Sequence, residues 1–190
     1  MPTRTREPAR DRILRTATDL FYAYGIRGVG IDRIIADSGV AKATLYANFK
    51  SKDDLVLTFL RQADEKWRRM LREAAAAAGD DPREQLVGLF DAIGAAGGEG
   101  GRYRGCVFIN VASESLPDTP VHEATVEHKR AVREWVAELA AAAGAVDPAM
   151  LARELTLVLD GAMSAAALES IAEAVPAARL AARALVERSC

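Results

Sequence analysis

The chain has 190 residues, of which 50% are hydrophobic and 27% are charged, and its net charge at pH 7 is −2. These values are ordinary for a globular protein and exclude a chain that is disordered throughout. Alanine supplies 38 of the 190 residues. Because alanine favours helices and disfavours strands, the composition predicts an all-helical protein.

Positive charge is concentrated near the N-terminus. Residues 1–52 carry ten Lys/Arg and five Asp/Glu, a balance of +5, whereas residues 53–190 carry 15 Lys/Arg and 22 Asp/Glu, a balance of −7. One interpretation is that the basic region contacts a polyanion and the acidic region does not. The alternative is a chance variation in surface charge, and charge alone leaves both open.

Other features restrict the class of protein. Cys106 and Cys190 form neither a disulfide framework nor a Cys-x-x-Cys pair. The N-terminus is polar and basic and lacks the apolar segment of a signal peptide. The most apolar run, from Leu155 to Leu168, is interrupted by Asp160 and is too short to span a membrane. We therefore expect a cytoplasmic protein without a membrane partner.

The first third of the chain contains four predicted helices. Residues 1–9 are polar, include two prolines and are expected to form a mobile arm. Gly25 is predicted to end the first helix as a left-handed cap, and Gly39 breaks the chain between the second and third. Ser51 and Asp54 form a near capping box for the fourth. The predicted helices span about residues 10–24, 31–38, 41–49 and 52–78.

Five more helices are predicted in the remainder, which gives about nine in total. The six glycines between Gly94 and Gly105 predict a loop. A strand is compatible with residues 106–111, but the helical neighbours favour a helix. Asp147 is a predicted N-cap, and Val175-Pro176 is predicted to separate the last two helices. These helices span about residues 82–93, 106–115, 121–143, 148–173 and 176–190.

The second and third predicted helices have the spacing of a helix-turn-helix motif. A turn of about four residues centred on Gly39 joins them, and Ile34, Ile35, Val40 and Leu45 are expected to pack them together. In such a motif the second helix enters the major groove of DNA. Helical hairpins with a glycine turn also occur without any DNA-binding function, so the pattern alone leaves both interpretations open.

Longer motifs carry a family resemblance. The chain contains I-L-x-x-A-x-x-L-F-x-x-x-G at Ile13–Gly25, I-D-R-I-I-A-D-S-G-V at Ile31–Val40 and A-K-A-T-L-Y-A-N-F-K-S-K-D-D-L at Ala41–Leu55. Residues 11–67 thereby resemble the N-terminal domain of the tetracycline-repressor (TetR) family of bacterial transcription regulators. Beyond them the resemblance rests on length, helix count and the run G-C-x-F-I-N-x-A-x-E at Gly105–Glu114.

The resemblance implies an N-terminal arm and three-helix helix-turn-helix DNA-binding domain over residues 1–52. A helical-bundle ligand-binding and dimerisation domain is implied over residues 53–190. Lys52 matches a phosphate-contacting lysine of the family, whereas Gly30 stands where many members have a threonine hydroxyl. The predicted DNA-contacting residues are Lys42, Ala43, Thr44, Tyr46, Ala47, Asn48, Lys50 and Lys52.

Arginines near the N-terminus leave two interpretations open. Arg4, Arg6 and Arg10 either contact DNA as part of an arm or belong to a solvated tail.

The last two predicted helices are candidates for a dimer interface. One recognition helix contacts few base pairs, so two copies about 34–36 Å apart would contact both halves of a palindromic operator. The alternative is that the same residues form the monomer core. They are Leu151, Leu155, Val158, Met163, Ala166, Ala167, Ile171, Leu180, Ala184 and Leu185.

An effector pocket is predicted among the helices of the C-terminal region. Few charges fall on their inward stripes, so its ligand is expected to be small and mainly apolar. The alternative is that each lining residue is plain core, and Cys106 is either a redox or electrophile sensor or a buried inert thiol. The predicted lining residues are Phe59, Trp67, Met70, Leu86, Phe90, Cys106, Phe108, Trp135 and Met163.

Motifs for catalysis or metal binding are not found. His122 and His128 do not share a helical face, lack a Glu-x-x-His pattern and are expected on the surface. We therefore expect a non-enzymatic, ligand-responsive repressor without a cofactor or metal, which binds a palindromic operator as a homodimer. The alternative is a helical small-molecule carrier or sensor whose DNA-binding region is non-functional.

Overall fold

The computed structural model describes residues 7–97 and 103–190, and within these ranges every regular element is a helix. The all-helical class is therefore confirmed. The helices are α1 (Ala9–Gly28), α2 (Ile31–Ser38), α3 (Lys42–Asn48), α4 (Lys52–Ala77), α5 (Pro82–Gly88), a 3₁₀ turn (Leu89–Asp91), α6 (Ala92–Gly97), α7 (Val107–Glu114), α8 (Pro120–Ala142), α9 (Pro148–Leu168) and α10 (Ile171–Ser189). Across both described ranges, no helix is long and apolar enough to cross a membrane.

The chain forms two compact units. Unit 1 comprises the residues up to Ala63 together with Val107–Thr125, and unit 2 comprises Asp64–Cys106 and Val126–Cys190. The unit boundary thus falls within α4 and again within α8. The functional division between residues 1–52 and 53–190 stays a prediction.

Unit 1 is built around the buried faces of α1 to α4. Ile13 of α1, Ile34 of α2 and Leu45 of α3 have no exposed surface. The rings of Phe21 in α1 and Phe59 in α4 lie 5.7 Å apart, centroid to centroid. Burial of each such side chain contributes about 1.5–3 kcal/mol. These contacts hold α2 and α3 by their inner faces and leave their outer faces to solvent.

Gly25 interrupts α1. Its φ of 76° is positive as predicted, but its ψ of 163° is extended, so the conformation is not the left-handed cap that the sequence suggested. A further turn, Ile26–Gly28, follows before α2 begins. Only glycine adopts this combination of angles readily.

In unit 2, α9 and α10 pack along each other, and α10 also contacts α5. Asp147 caps α9 as predicted, because its carboxylate accepts a hydrogen bond from the Met150 amide at 3.0 Å. Arg183 of α10 donates two hydrogen bonds to the Glu84 carboxylate of α5, at 2.7 and 2.8 Å. These contacts connect the last two helices to the middle of the chain.

The predicted break at Val175-Pro176 is wrong, because α10 begins five residues before Pro176. The Ser170 hydroxyl accepts a hydrogen bond from the Glu173 amide at 3.2 Å and donates one to the Glu173 carboxylate at 2.9 Å. Ser170 is therefore the N-cap that starts the helix. Pro176 lies inside α10, where it removes one backbone hydrogen bond.

The predicted loop from Gly94 to Gly105 is also partly wrong, because α6 continues to Gly97. Ala92 and Ile93 are fully buried and hold the start of this helix against the core. A Cβ at position 97 would overlap the Ile171 side chain, so Gly97 permits close packing here. Residues 98–102, which include three of the six glycines, lie outside the described residues.

The residues predicted for a dimer interface separate into two sets. Leu151, Leu155, Met163 and Ala166 are 1–6% exposed and pack inside unit 2, so the interface prediction is wrong for them. The residues left at least partly accessible are Val158, Ala167, Ile171, Leu180, Ala184 and Leu185.

His128 is buried, so its predicted surface position is wrong. Its Nδ1 lies 2.6 Å from an Asp64 carboxylate oxygen, and a carboxylate only accepts, so Nδ1–H donates. Burial lowers the pKa of His128 to about 4, although the hydrogen bond to Asp64 acts in the opposite direction. Arg68 lies 3.5 Å from the same carboxylate. His122 is half-buried, with its Nδ1 3.2 Å from the Ser115 hydroxyl.

We predict that His128 makes the stability of the protein depend on pH. Its folded-state pKa of about 4 lies below the ordinary value of 6.5, so the unfolded state binds the proton first as the pH falls. The free energy of unfolding contributed by neutral His128 is therefore complete above pH 6.5. It declines between pH 6.5 and 4, by roughly 3 kcal/mol in all.

Urea unfolding at pH 7.5, 5.5 and 4.5 measures this decline. His128→Gln is expected to be less stable than the wild type at pH 7.5 and to lose less stability on acidification. His122→Gln is the matched control and keeps the wild-type decline. Identical declines in His128→Gln and the wild type would contradict the assignment.

Candidate nucleic-acid interface

The helix-turn-helix motif is formed by α2 and α3. Gly39 joins them with φ 64° and ψ 29°, the left-handed conformation that glycine adopts easily, and its amide donates to the Ile35 carbonyl. Of the predicted packing residues, Ile34, Val40 and Leu45 are buried, whereas Ile35 is only half-buried. Both helices agree with their predicted bounds to within one residue.

α3 carries six of the eight predicted DNA-contacting residues. Lys42, Ala43, Tyr46 and Ala47 are exposed. Thr44 and Asn48 are half-buried, and the Asn48 amide donates to the Thr44 carbonyl at 2.8 Å. This bond fixes the Asn48 carboxamide along the end of the helix. The arrangement presents a cation, a phenol and two small side chains to solvent.

Lys42 has a partner that the sequence analysis missed. Its ammonium lies 3.7 Å from the Asp32 carboxylate at the start of α2, and both side chains are largely exposed. An exposed pair of this kind contributes about 0–1 kcal/mol. Lys42 can therefore exchange Asp32 for a phosphate or a base edge at little cost.

The turn into α4 fixes two further lysines. The Ser51 hydroxyl accepts from the Asp54 amide at 3.1 Å, and the Asp54 carboxylate accepts from the Lys50 amide at 3.0 Å, which confirms the predicted capping residues. Lys50 is exposed and Lys52 is half-buried. Their charges lie at the N-terminus of a 26-residue helix, where the helix dipole also favours an anion.

Arg10 adjoins the same end of α3. It lies in the first turn of α1, and its guanidinium carbon is 5.3 Å from the centroid of the Phe49 ring. The solvated-tail interpretation is therefore wrong for Arg10, which is exposed but anchored by a cation–π contact. Arg4 and Arg6 lie outside the described residues.

The residues predicted to line an effector pocket are distributed over both units. Phe59 and Phe108 are buried in unit 1. In unit 2, Trp67, Met70 and Trp135 are half-buried, and the Arg72 guanidinium carbon lies 5.9 Å from the Trp135 ring centroid. The remaining members, all buried in unit 2, are Leu86, Phe90, Cys106 and Met163. Their role in binding stays a prediction.

Comparison with known proteins agrees with this geometry. The profile of the family "Bacterial regulatory proteins, tetR family" matches residues 13–58, which contain the helix-turn-helix motif. The transcriptional regulator YjdC of Escherichia coli is 28% identical over 162 residues, which are 82% of this chain and 81% of YjdC. LmrA of Bacillus subtilis is 30% identical over 129 residues, 67% of this chain and 66% of LmrA.

A solved structure extends the similarity to nearly the whole chain. The crystal structure of a TetR-family transcriptional regulator from Streptomyces coelicolor has a TM-score of 0.86 and 37% sequence identity, and the match covers 95% of both chains. The family profile lies within unit 1, whereas the relatives and the solved structure match residues of both units. The chain belongs to the TetR family and is a DNA-binding transcriptional regulator.

Proposed function

We propose that this regulator binds a palindromic operator as a homodimer, with α3 of each protomer in the major groove of one half-site. The observation that carries the proposal is the outer face of α3, which is free of large aliphatic side chains and is bordered by Lys42, Lys50 and Lys52. A buried inner face and a cationic outer face are what a recognition helix needs.

The exposed side chains divide into two roles. Lys50 and Lys52 are suited to phosphates because they flank a helix N-terminus. Lys42 and Tyr46 can contact base edges or phosphates with an ammonium and a phenol. Ala47 is small, so it allows close approach and at most an apolar contact with a thymine methyl group.

Charge reversal on this surface tests the proposal. Lys42→Glu and Lys52→Glu are each expected to weaken operator binding at least about tenfold, because a charge-assisted contact is replaced by repulsion of a phosphate. Lys66→Glu is the matched control, since Lys66 is exposed on α4 about 21 Å from Lys52 along the helix axis. The measurement is fluorescence anisotropy with DNA from immediately upstream of the gene or selected from the genome.

The same measurement separates this function from the alternative of a carrier or sensor. A wild-type protein that binds neither the selected fragment nor scrambled DNA, even at low salt, would overturn the DNA-binding proposal. Equal losses in Lys66→Glu and Lys42→Glu would overturn the assignment of the surface.

We further propose that Arg10 contacts a DNA phosphate beside those that bind Lys50 and Lys52. Its guanidinium lies over the ring of Phe49, the residue that directly precedes Lys50. A cation held over an aromatic ring keeps its charge and loses less conformational freedom when it binds. Arg10 therefore extends the cationic edge from α3 onto α1.

The salt dependence of binding tests Arg10. Arg10→Ala is expected to reduce the slope of log affinity against log salt concentration by about 1, on operator and scrambled DNA alike. Arg15→Ala removes the same charge from the same helix, but Arg15 is already bonded to the Glu7 carboxylate at 2.9 and 3.2 Å. The Arg15 variant keeps the wild-type slope, and equal slopes in both variants would contradict the contact.

We propose that a second copy of the chain covers one face of α9 and α10. Leu157, Gly161 and Leu168 recur at helical spacing along α9, and the two leucines are 67% and 86% exposed. Leu180 of α10 is 73% exposed. Large exposed leucines that share a stripe of small neighbours are typical of a helical dimer interface.

Oligomeric state tests this interface. Leu157→Arg is expected to convert the dimer to a monomer, because a charge would be buried without a partner at the two-fold axis. Val146→Arg is the control, since Val146 is 94% exposed but lies in the turn before α9. Sedimentation at micromolar concentration distinguishes the states, and a dimeric Leu157→Arg variant would refute the interface.

We also propose that the protein is a repressor and that a small, mainly apolar effector shifts its population away from the DNA-binding state. The predicted lining residues of unit 2 are buried or half-buried and mainly apolar, which supports an apolar ligand; they are Trp67, Met70, Leu86, Phe90, Cys106, Trp135 and Met163. Both tryptophans of the chain, Trp67 and Trp135, belong to this set. Their fluorescence is therefore the natural reporter for a screen of apolar compounds.

A further inference from the structure

The α1–α2 junction extends from Gly25, where α1 is interrupted, to Gly30, which directly precedes α2, and it has few restraints of its own. It contains Gly25, Gly28 and Gly30, and Gly30 precedes α2 without a side-chain cap. Gly25 turns the chain with φ 76° and ψ 163°. Ile26 and Val29 are buried and anchor the junction by apolar contacts, which are not directional.

Glu114, the last residue of α7, supplies a directional restraint. Its carboxylate accepts a hydrogen bond from the Arg27 amide at 2.7 Å, across 87 residues of sequence. The same carboxylate lies against Gly25, where an added Cβ would collide with it. Charge-assisted hydrogen bonds of this length are roughly twice as strong as neutral ones.

Glu114 belongs to a segment of unit 1 that is flanked on both sides by unit 2 in the chain. Val107–Thr125, which contains α7, belongs to unit 1 and packs on α1, yet the chain enters it from unit 2 and returns to unit 2 after it. Glu114 is thus a point at which a segment flanked by unit 2 bonds to the backbone that leads into the DNA-binding motif.

We propose that Glu114 is a positioning residue for DNA recognition. It fixes the α1–α2 junction, α2 starts directly after that junction, and α2 in turn packs on α3, with Ile34 and Leu45 fully buried on their inner faces. Base contacts depend on helix placement within fractions of an ångström, whereas phosphate contacts with flexible lysines tolerate small shifts. Loss of the Glu114 contact therefore reduces specific binding more than non-specific binding.

Electrostatics alone predicts the opposite change in DNA affinity when Glu114 is removed. Glu114 is negative and lies in the unit that binds a polyanion, so its removal would strengthen DNA binding if charge were its only contribution. A loss of affinity on neutralisation thus identifies positioning. Glu123 offers a matched control, because it is an exposed acidic residue of the same segment.

The test compares operator and scrambled DNA by fluorescence anisotropy for the full-length dimer. Glu114→Ala is expected to lose operator affinity at least about tenfold while its affinity for scrambled DNA stays equal or rises. Glu114→Gln keeps an acceptor for the Arg27 amide and is expected to bind within about threefold of the wild type. Glu123→Ala is expected to bind both DNAs at least as tightly as the wild type.

A second variant separates positioning from a loss of folding. Glu114→Asp keeps the charge but shortens the side chain by one methylene, so its carboxylate no longer reaches the Arg27 amide. It is expected to melt close to the wild-type temperature, to show faster hydrogen exchange at the Arg27 amide and to lose operator affinity as Glu114→Ala does. Wild-type operator affinity in either the Ala or the Asp variant would overturn the proposal.

Discussion

The recognition surface depends on the burial of a few apolar side chains beneath a very short helix. α3 has seven residues, and an isolated helix of that length is not stable in water because nucleation is too costly. Its conformation therefore comes from Leu45, which is fully buried, and from Phe49, which is 1% exposed at its C-terminal end. The exposed side chains of α3 are therefore held in place from the opposite face of the helix.

Because the buried inner face holds α3 in place, the side chains on its outer face need not contribute to the stability of the fold. Asp32 and Lys42 form only an exposed pair, and exposed pairs contribute little to folding. Lys42 is thus available to exchange Asp32 for a phosphate. The balance of +5 over residues 1–52 and −7 over residues 53–190 further favours approach of DNA to the N-terminal region.

Local sequence patterns made much of the helix-turn-helix motif predictable from the sequence. Gly39 and the spacing of Ile34 and Leu45 identified α2 and α3 to within a residue, because a helix-turn-helix is specified by neighbours in sequence. Val175-Pro176 was a misleading signal for the start of α10, because a proline is tolerated inside this helix and Ser170 is its N-cap. Glycine content alone also failed to show that α6 extends to Gly97.

Contacts between distant residues could not be predicted in this way. The buried pair of His128 and Asp64 joins residues 64 positions apart, and the bond from the Arg27 amide to Glu114 spans 87 positions. No local sequence pattern distinguishes any of these residues from an ordinary surface residue. The partners come together only in the folded protein. Glu114 falls within residues 53–190, which the resemblance assigns to the ligand-binding domain, yet it lies in unit 1 with the helix-turn-helix motif.

The free energy needed to regulate operator binding is similar to that of one or two such long-range contacts. A hundredfold change in operator affinity requires about 3 kcal/mol of coupling free energy. Burial of one large apolar side chain contributes about 1.5–3 kcal/mol, and a hydrogen bond to a charged group contributes about as much. Since α3 has almost no stability of its own, a change of one or two contacts behind it is enough to alter specific binding. The proposed effector would therefore not need to approach the proposed DNA-binding surface, provided that it favours a different arrangement of the residues that support that surface.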